Sequence, residues 1–527
     1  MVAVAALATL LRLDGIGFGL PSMYDRDEPL FVMNGIRLLK EATLNPRWFG
    51  HPATTTFYAL AIVDLLVIGF GFVAGWWRDA AGFAASVYAD PGIIFLANRW
   101  FIAACGVIGV LATFVIGRRL VDTRTGAIAA LLLALCPLHV EYSQIIRTDV
   151  QASAIMLLAV HFTLRMLDHG RRRDLVLAAM MVGFACATKW PAALIGIAPF
   201  AACFMLPGMT RSEQWRRALA VFGIAVLTLF VTSPFLLIDH QKVIANVLSE
   251  ARPEHLGATG GSVWFNLGWY IAGPLERAFG AFGLVLAAMG MVLAAGRYPR
   301  ARVTILLGAV VFFVLIATRS LVWPRWAVPL LPFIALVVAI AVREVAGVLR
   351  GRLAPLLATG ALTLAVALPM LATTRADAVE RANDTRGLAV GWVRANVPRD
   401  RSIVLEGLLF ELLHGGWRFR YPIGALGCVD VADTLAGRID FPTVERAQKG
   451  RNQIHLGTID PAKVDSCRAD YAIISEYDRY AAEAPKWAIE RGVYRALLTG
   501  ATPVVTFRPV EGRIGGPIVR IYRLPSR

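Results

Sequence analysis

"NRWFIAACGVIGVLATFVIGRRL", residues 98–120, decides what kind of chain this is. Past Trp100 no charged side chain occurs until Arg118 and Arg119. A helix of about 20 residues rises about 30 Å, the thickness of the hydrocarbon core of a bilayer. Similar apolar runs recur from residue 1 to about 372, and arginines gather between them in short loops. These loops hold Arg118, Arg119 and Arg124; Arg165 and Arg171 to Arg173; Arg211, Arg216 and Arg217; Arg297, Arg300 and Arg302; and Arg343, Arg350 and Arg352. The alternate loops carry far fewer: Arg147; Lys189; Lys242, Arg252 and Arg277; Arg319 and Arg325. Positive charge marks the cytoplasmic side, so the alternation fixes a path through the membrane.

Composition agrees. The 527 residues are 57% hydrophobic and 17% charged, against about a quarter charged in soluble domains. The net charge of +16 belongs to these loops, which argues topology and not nucleic-acid binding. The first apolar segment lacks a basic leader and a small-residue cleavage site, so it reads as the first membrane helix. The spans expected are 1–20, 98–117, 125–143, 150–166, 174–188, 191–207, 218–238, 272–295, 303–317, 326–342 and 354–372. These about eleven spans put the N-terminus in the cytoplasm and residues 373–527 outside. The fold class expected is a mainly α polytopic membrane protein: a membrane domain over 1–372 and a small extracytoplasmic α/β domain over 373–527. In the second, "TRGLAVGWVRANV" reads as a helix, and "RSIVLEG", "DYAIISE", "PVVTFRP" and "PIVRIYR" read as strands. Four of the six cysteines lie in or near spans. Cys428 and Cys467 are the two in the external domain, where an oxidising compartment permits a bond between them.

The first external loop, about 21–97, is long. Residues 54–75 are apolar enough to span, but a span there would turn every later arginine loop outward. The charge rule therefore reads them as re-entrant or interfacial, with Asp64 in the middle. Residues 28–43 read as a second interfacial helix, with Asp27 as N-cap and Pro29 in the first turn. Val32, Ile36 and Leu39 would line one face, and Asn34, Arg37 and Glu41 another. The loop opens with the acidic pair Asp27-Glu28, where the chain leaves the bilayer.

Several stretches carry a resemblance. "LRLDGIGFGLPSMYDRDE", "GHPATTTFYAL", "CPLHVEYSQIIRTDVQASAIML", "GFACATKWPAALIGIAP", "RWAVPLLPFIALVVA" and "DTRGLAVGWVRANVPRDRSIV" occur in the order found in the GT-C membrane glycosyltransferases. The chain resembles the branch of the protein O-mannosyltransferases and the lipid A aminoarabinose transferases. One departure is Ala53, where many relatives have a second proline. The resemblance implies transfer of a sugar from a polyprenyl-phosphate donor to an acceptor hydroxyl outside the cytoplasm, with Asp27 as the base. It leaves open the sugar, and whether the acceptor is a glycolipid, a polysaccharide or a protein. The alanine- and arginine-rich composition points to a bacterial inner membrane.

The residues suit that chemistry. A phosphate leaves readily, so the transfer needs a base for the incoming hydroxyl and cations for the departing phosphate. Asp27 and Glu28 are the candidates for the chemistry, and neighbouring carboxylates are expected to raise the Asp27 pKa. A single displacement would invert the anomeric carbon. Lys189, Arg325, Arg147 and Arg319 are the candidate phosphate cations. His51, Asp149 and Glu141 are further substrate-binding candidates. The plainer readings are an N-cap for Asp27, an ion pair for Arg147 with Asp149, and headgroup contacts for Arg319 and Arg325. No cofactor and no metal site are expected, although Asp27, Glu28 and Glu141 leave a divalent cation open. "ISEYDRY", 474–480, is the external segment most suited to touch an acceptor. The main rival is a polytopic transporter or flippase, which would want internal repeats that the sequence does not display.

Overall fold

The computed structural model describes all residues except 251–253, 352, 408, 409, 413, 414, 440, 449–454, 484, 526 and 527. Arg252 and Arg352 thus lie outside the described residues. The chain divides into two compact units. One holds Met1–Ile16, Asp27–Phe83 and Ile93–Arg375, and the other holds Gly17–Arg26, Ala84–Gly92 and Ala376–Arg527.

The helices of the chain begin with α1 (Val2–Leu13), α2 (Glu28–Lys40), α3 (Thr54–Val73), α4 (Ala80–Ala89, most of it in the second unit), α5 (Gly92–Leu120), α6 (Thr123–Leu135), α7 (Pro137–Ser143), α8 (Thr148–His169) and α9 (Arg172–Thr188). Among the described residues, 8 helices are long and apolar enough to cross a membrane, or 9 if the bent pair α6–α7 is one span. Some expected spans are shorter or broken. The 125–143 run bends by 62° between α6 and α7, where Pro137 has no N–H to continue the ladder. The 191–207 run falls within a 3-10 start and two short turns of helix, and α1 has 12 residues.

Within residues 54–75, Thr54–Val73 form one unbroken 20-residue helix, α3, which is long enough to span. No break supports a re-entrant path. Asp64 is fully buried within the protein and accepts a hydrogen bond from Asn98 of α5 at 2.7 Å. The buried face of α2 also differs from expectation. Phe31, Val32, Gly35 and Leu38 face inward, and so does Asn34, expected on the polar face. The cause is Gly35, where a Cβ would lie 3.0 Å from Asp64 Oδ2 and 3.3 Å from the Ala61 backbone nitrogen. Only glycine lets α2 and α3 approach so closely.

Packing in this unit is graded. Most residues of Pro324–Gly347 are buried and few of Arg211–Thr232 are, so the first is core and the second presents most of its surface outward. At the bend after α6 the helix leaves carbonyls without partners. Arg12, fully buried at the end of α1, donates to Leu133 O at 3.3 Å, Ala134 O at 3.2 Å and His139 Nδ1 at 2.8 Å. A buried guanidinium is thus balanced by the negative end of a helix and a neutral imidazole.

The second unit holds a six-stranded sheet in the order β3-β2-β1-β4-β6-β5. The strands are β1 (Ser402–Leu405), β2 (Arg418–Pro422), β3 (Cys428–Asp430), β4 (Tyr471–Ile474), β5 (Thr502–Phe507) and β6 (Val519–Arg523). β1 runs parallel to both β2 and β4, and the remaining pairs are antiparallel. Four strands and the helix Thr385–Asn396 fall where the sequence placed them; β2 and β3 are additional. Cys428 and Cys467 are disulfide-bonded.

Candidate active site

Asp27 occupies the N-cap position of α2, but its carboxylate makes no capping hydrogen bond. It accepts instead from Arg147, and Arg325 Nη1 stands 3.8 Å from the same oxygen, Oδ2. Arg147 is the residue before α8. Arg325 lies in the 3-10 turn Pro324–Leu330, its guanidinium 4.8 Å from the centre of the Trp323 ring. The loop carrying Arg325 is pinned on several sides. Val322 donates its N–H to Thr259 O at 2.9 Å, and Asn266 donates to Ala317 O at 2.9 Å and Arg319 O at 2.8 Å.

A second group lies beside the first. Lys189, at the end of α9, donates to Asp149 Oδ1 in the first turn of α8. Both are buried, and Asp149 Oδ2 has no hydrogen-bond partner among the described residues. The segment before α3 runs antiparallel alongside Thr188–Trp190: Ala53 N–H donates to Thr188 O at 3.2 Å, and Trp190 N–H to His51 O at 2.7 Å. This strap brings His51 into the electrostatic reach of Asp27, Asp149, Lys189 and Arg325. Phe31 and Trp48 pack around its ring, with centroids 6.1 and 5.1 Å away.

The electrostatics differ from expectation at Asp27. Burial is the largest influence and works to raise its pKa, but Arg147 and Arg325 together hold it below the ordinary carboxylate value. The expected upward shift does not occur, because neither the burial nor the neighbouring carboxylates outweigh the two guanidinium groups. His51 is pushed down to about 3, first by burial and then by Lys189 and Arg325, so its ring is neutral. The cluster contains three cations, Arg147, Arg325 and Lys189, to two carboxylates. Arg325 Nε is buried with no hydrogen-bond partner among the described residues. The arrangement gathers three cations around a donor unused among the described residues, which suits an anion such as a phosphate.

Other expected site residues are placed elsewhere. Glu28 is fully buried and paired with Arg99, accepting from Nε at 2.8 Å and from Nη2 at 2.6 Å. It also accepts the Ile146 N–H at 3.0 Å, while Arg99 Nη1 donates to Ile16 O at 2.8 Å. Glu28 therefore ties the residue before Arg147 to the start of α2, and its buried ion-pair partner is Arg99. Glu141 pairs with Arg277 at 3.2 Å. Arg319 is exposed and contributes only its backbone carbonyl to Asn266. Arg147 does not pair with Asp149, whose ion-pair partner is Lys189. Asp27, Glu28 and Glu141 thus each have their own arginine, and do not form a fitting set of metal ligands. Among the described residues no group of three His, Cys, Asp or Glu side chains converges. The 474–480 segment faces inward: Ser475, Glu476 and Tyr480 are buried. Arg99 was missed, and its one signal was a guanidinium at the edge of an apolar run, where a partner is expected.

Comparison with known proteins adds a family model and a fold. Residues 93–238 match the family described as dolichyl-phosphate-mannose-protein mannosyltransferase. That match includes Arg147, Asp149 and Lys189 but not Asp27, His51 or Arg325. The structure of ArnT from Cupriavidus metallidurans in the apo state is similar over 99% of this chain and 96% of its own, at 16% identity and a TM-score of 0.53. The structure of the same protein bound to undecaprenyl phosphate covers 100% of this chain and 97% of its own, at 16% identity and a TM-score of 0.52. No curated protein matches by sequence. The fold is ArnT-like, and the mannosyltransferase family match is confined to residues 93–238.

Proposed function

We propose that this chain is an integral-membrane glycosyltransferase that moves a sugar from a polyprenyl-phosphate carrier to an acceptor hydroxyl on the extracytoplasmic side of a bacterial inner membrane. The observation that carries the reading is the Asp27 carboxylate, which is not used as a helix cap and is set against Arg147 and Arg325 beside Lys189. The undecaprenyl phosphate bound to the similar ArnT structure supports the same class of carrier here.

In this reading Asp27 accepts the proton of the acceptor hydroxyl as its oxygen attacks the anomeric carbon. The new C–O bond forms as the anomeric C–O bond to phosphate breaks, and that electron pair goes to the phosphate oxygen. One displacement inverts the anomeric centre. Arg147, Arg325 and Lys189 stabilise the departing phosphate, where fixed cations are worth most. The low pKa of Asp27 in the resting site is no obstacle. A phosphate that draws off the two arginines removes the groups that depress it, so donor binding itself strengthens the base.

The test uses wild type and Asp27→Asn in matched lipid nanodiscs. Undecaprenyl-phosphate sugars carrying mannose, glucose, an aminopentose or a hexuronic acid are offered with a host membrane extract, and donor turnover is followed by mass spectrometry. Turnover of one donor that is lost in a folded Asp27→Asn supports the reading. Equal turnover in both proteins refutes Asp27 as base.

A further inference from the structure

Within the second unit, the short segment Gly17–Arg26 is held by residues far away in sequence. The Tyr24 ring lies under the Arg386 guanidinium, 3.7 Å from its centroid, and Arg386 Nη1 donates to Tyr24 O at 3.3 Å. Arg386 is itself gripped by both oxygens of Asp384, at 2.8 and 2.7 Å. Gly19 has φ +68°, and a Cβ there would sit 2.5 Å from the Tyr24 ring. The segment ends in Arg26, which donates to Glu476 Oε1.

Glu476 is a rigid place to anchor an arginine. Its side chain is 4% exposed, and its other oxygen accepts from Arg479 at 2.9 Å. Its backbone is fixed as well. Glu406, at the end of β1, accepts the Ser475 N–H at 2.6 Å and the Glu476 N–H at 3.0 Å, and accepts also from the Tyr494 hydroxyl. β1 and β4 are adjacent parallel strands, and the chain leaves β1 toward β2 on one side and reaches β4 on the other. This is the switch point at which an open α/β sheet presents its loops at the carboxyl ends of the strands. Here the position is filled by the protein's own carboxylates, with Arg26 as the counter-charge.

The residue after Arg26 is Asp27, and the boundary between the two units falls at that peptide bond. We propose that Glu476 is a positioning residue: by holding Arg26 it fixes the backbone from which Asp27 projects. This rests on the reading of Asp27 as base. Every contact invoked lies within one unit, and the effect passes to Asp27 through a single covalent link. Freeing Arg26 would leave Asp27 its own arginine partners but loosen the backbone that aims it, and misplacement by about 1 Å can cost about 100-fold in rate.

The test uses the full-length protein in nanodiscs: wild type, Arg26→Gln, Arg26→Lys, Glu476→Gln and Asp27→Asn. Hydrogen exchange is measured over residues 17–34 and over β1, and kcat and KM for the undecaprenyl-phosphate sugar that wild type turns over. The expected result is faster exchange at residues 24–28 in Arg26→Gln and Glu476→Gln, with β1 protection unchanged. In both, kcat falls roughly 10- to 100-fold while donor KM stays within about twofold, and Arg26→Lys retains most of the rate. Unchanged exchange at 24–28, or faster exchange with wild-type kcat, overturns the proposal. A fall confined to KM also overturns it. Full activity in Asp27→Asn would refute the base reading itself. An inactive Asp27→Asn beside a fully active Arg26→Gln refutes the positioning role alone.

Discussion

Replacing Arg99 with methionine tests whether Glu28 is structural or chemical. Both side chains of the pair are 0% exposed. Two charge-assisted hydrogen bonds join them, at 2.8 and 2.6 Å, and such bonds contribute about 1.5–3 kcal/mol each. Their loss amounts to roughly 3–6 kcal/mol, close to the roughly 3–5 kcal/mol seen when one partner of a buried ion pair is removed. Arg99→Met is therefore expected to destabilise by about 3–5 kcal/mol. The penalty comes largely from the carboxylate left buried without its guanidinium, so Glu28→Met combined with Arg99→Met should recover at least half of it. Denaturant unfolding in detergent, read by tryptophan fluorescence, measures both. A loss under about 1 kcal/mol for Arg99→Met, the range of exposed pairs, would refute the reasoning. The companion variant Glu28→Gln should lower stability and turnover together. Turnover abolished at unchanged stability would place Glu28 back in the chemistry.

The pH dependence follows from Asp27, whose pKa is lowered in the folded protein. The ionised form is favoured, so its contribution to stability is present above the unfolded pKa and is lost as pH falls through the folded one. Because kcat/KM reports the free enzyme, its acid limb should lie below about pH 3.9; an apparent pKa above about 5 would contradict this. Arg325→Ala should weaken undecaprenyl phosphate binding roughly 10- to 100-fold, measured by titration in nanodiscs, since one charge-assisted contact is lost. Lys189→Met strands the buried Asp149 carboxylate and should cost about 3–5 kcal/mol, with Lys189→Met/Asp149→Asn recovering part of it in the same unfolding assay. Replacing Cys428 and Cys467 by serine opens a loop of sequence separation 39. It should destabilise the sheet unit by about 4 kcal/mol, seen as a shift in its urea midpoint.

The apolar runs and their arginine loops made the membrane class legible, because hydrocarbon thickness and loop charge are properties of short windows. Arg147, Lys189 and Arg325 were legible as candidates because cations near hydrocarbon need a reason, and Asp27 because the resemblance and its place after the first apolar segment single it out. The resemblance singled out Asp27 of the acidic pair, but what could not be read was where Glu28 turns. Successive residues at a helix start project about 100° apart, so Asp27 meets Arg147 while Glu28 turns to Arg99, and nothing local distinguishes them. The sign of the Asp27 shift was missed for the same reason, since it depends on arginines supplied from distant segments. The buried face of α2 was set by Gly35 against α3, a contact that periodicity does not contain. β2 and β3 escaped because Arg418–Pro422 carries alternate arginines and Cys428–Asp430 is only 3 residues long.

The gathering of Arg147, Arg325 and Lys189 around Asp27 has a kinetic corollary on the proposed reading. The sugar donor is a phosphodiester with one negative charge, whereas the spent carrier is a monoester of about −1.5 to −2 at neutral pH. A site that gathers Arg147, Arg325 and Lys189, with Arg325 Nε unused among the described residues, would hold what leaves more tightly than what enters. Throughput would then be governed by how fast the membrane clears the empty carrier, and the protein would idle with its own product bound whenever recycling lags.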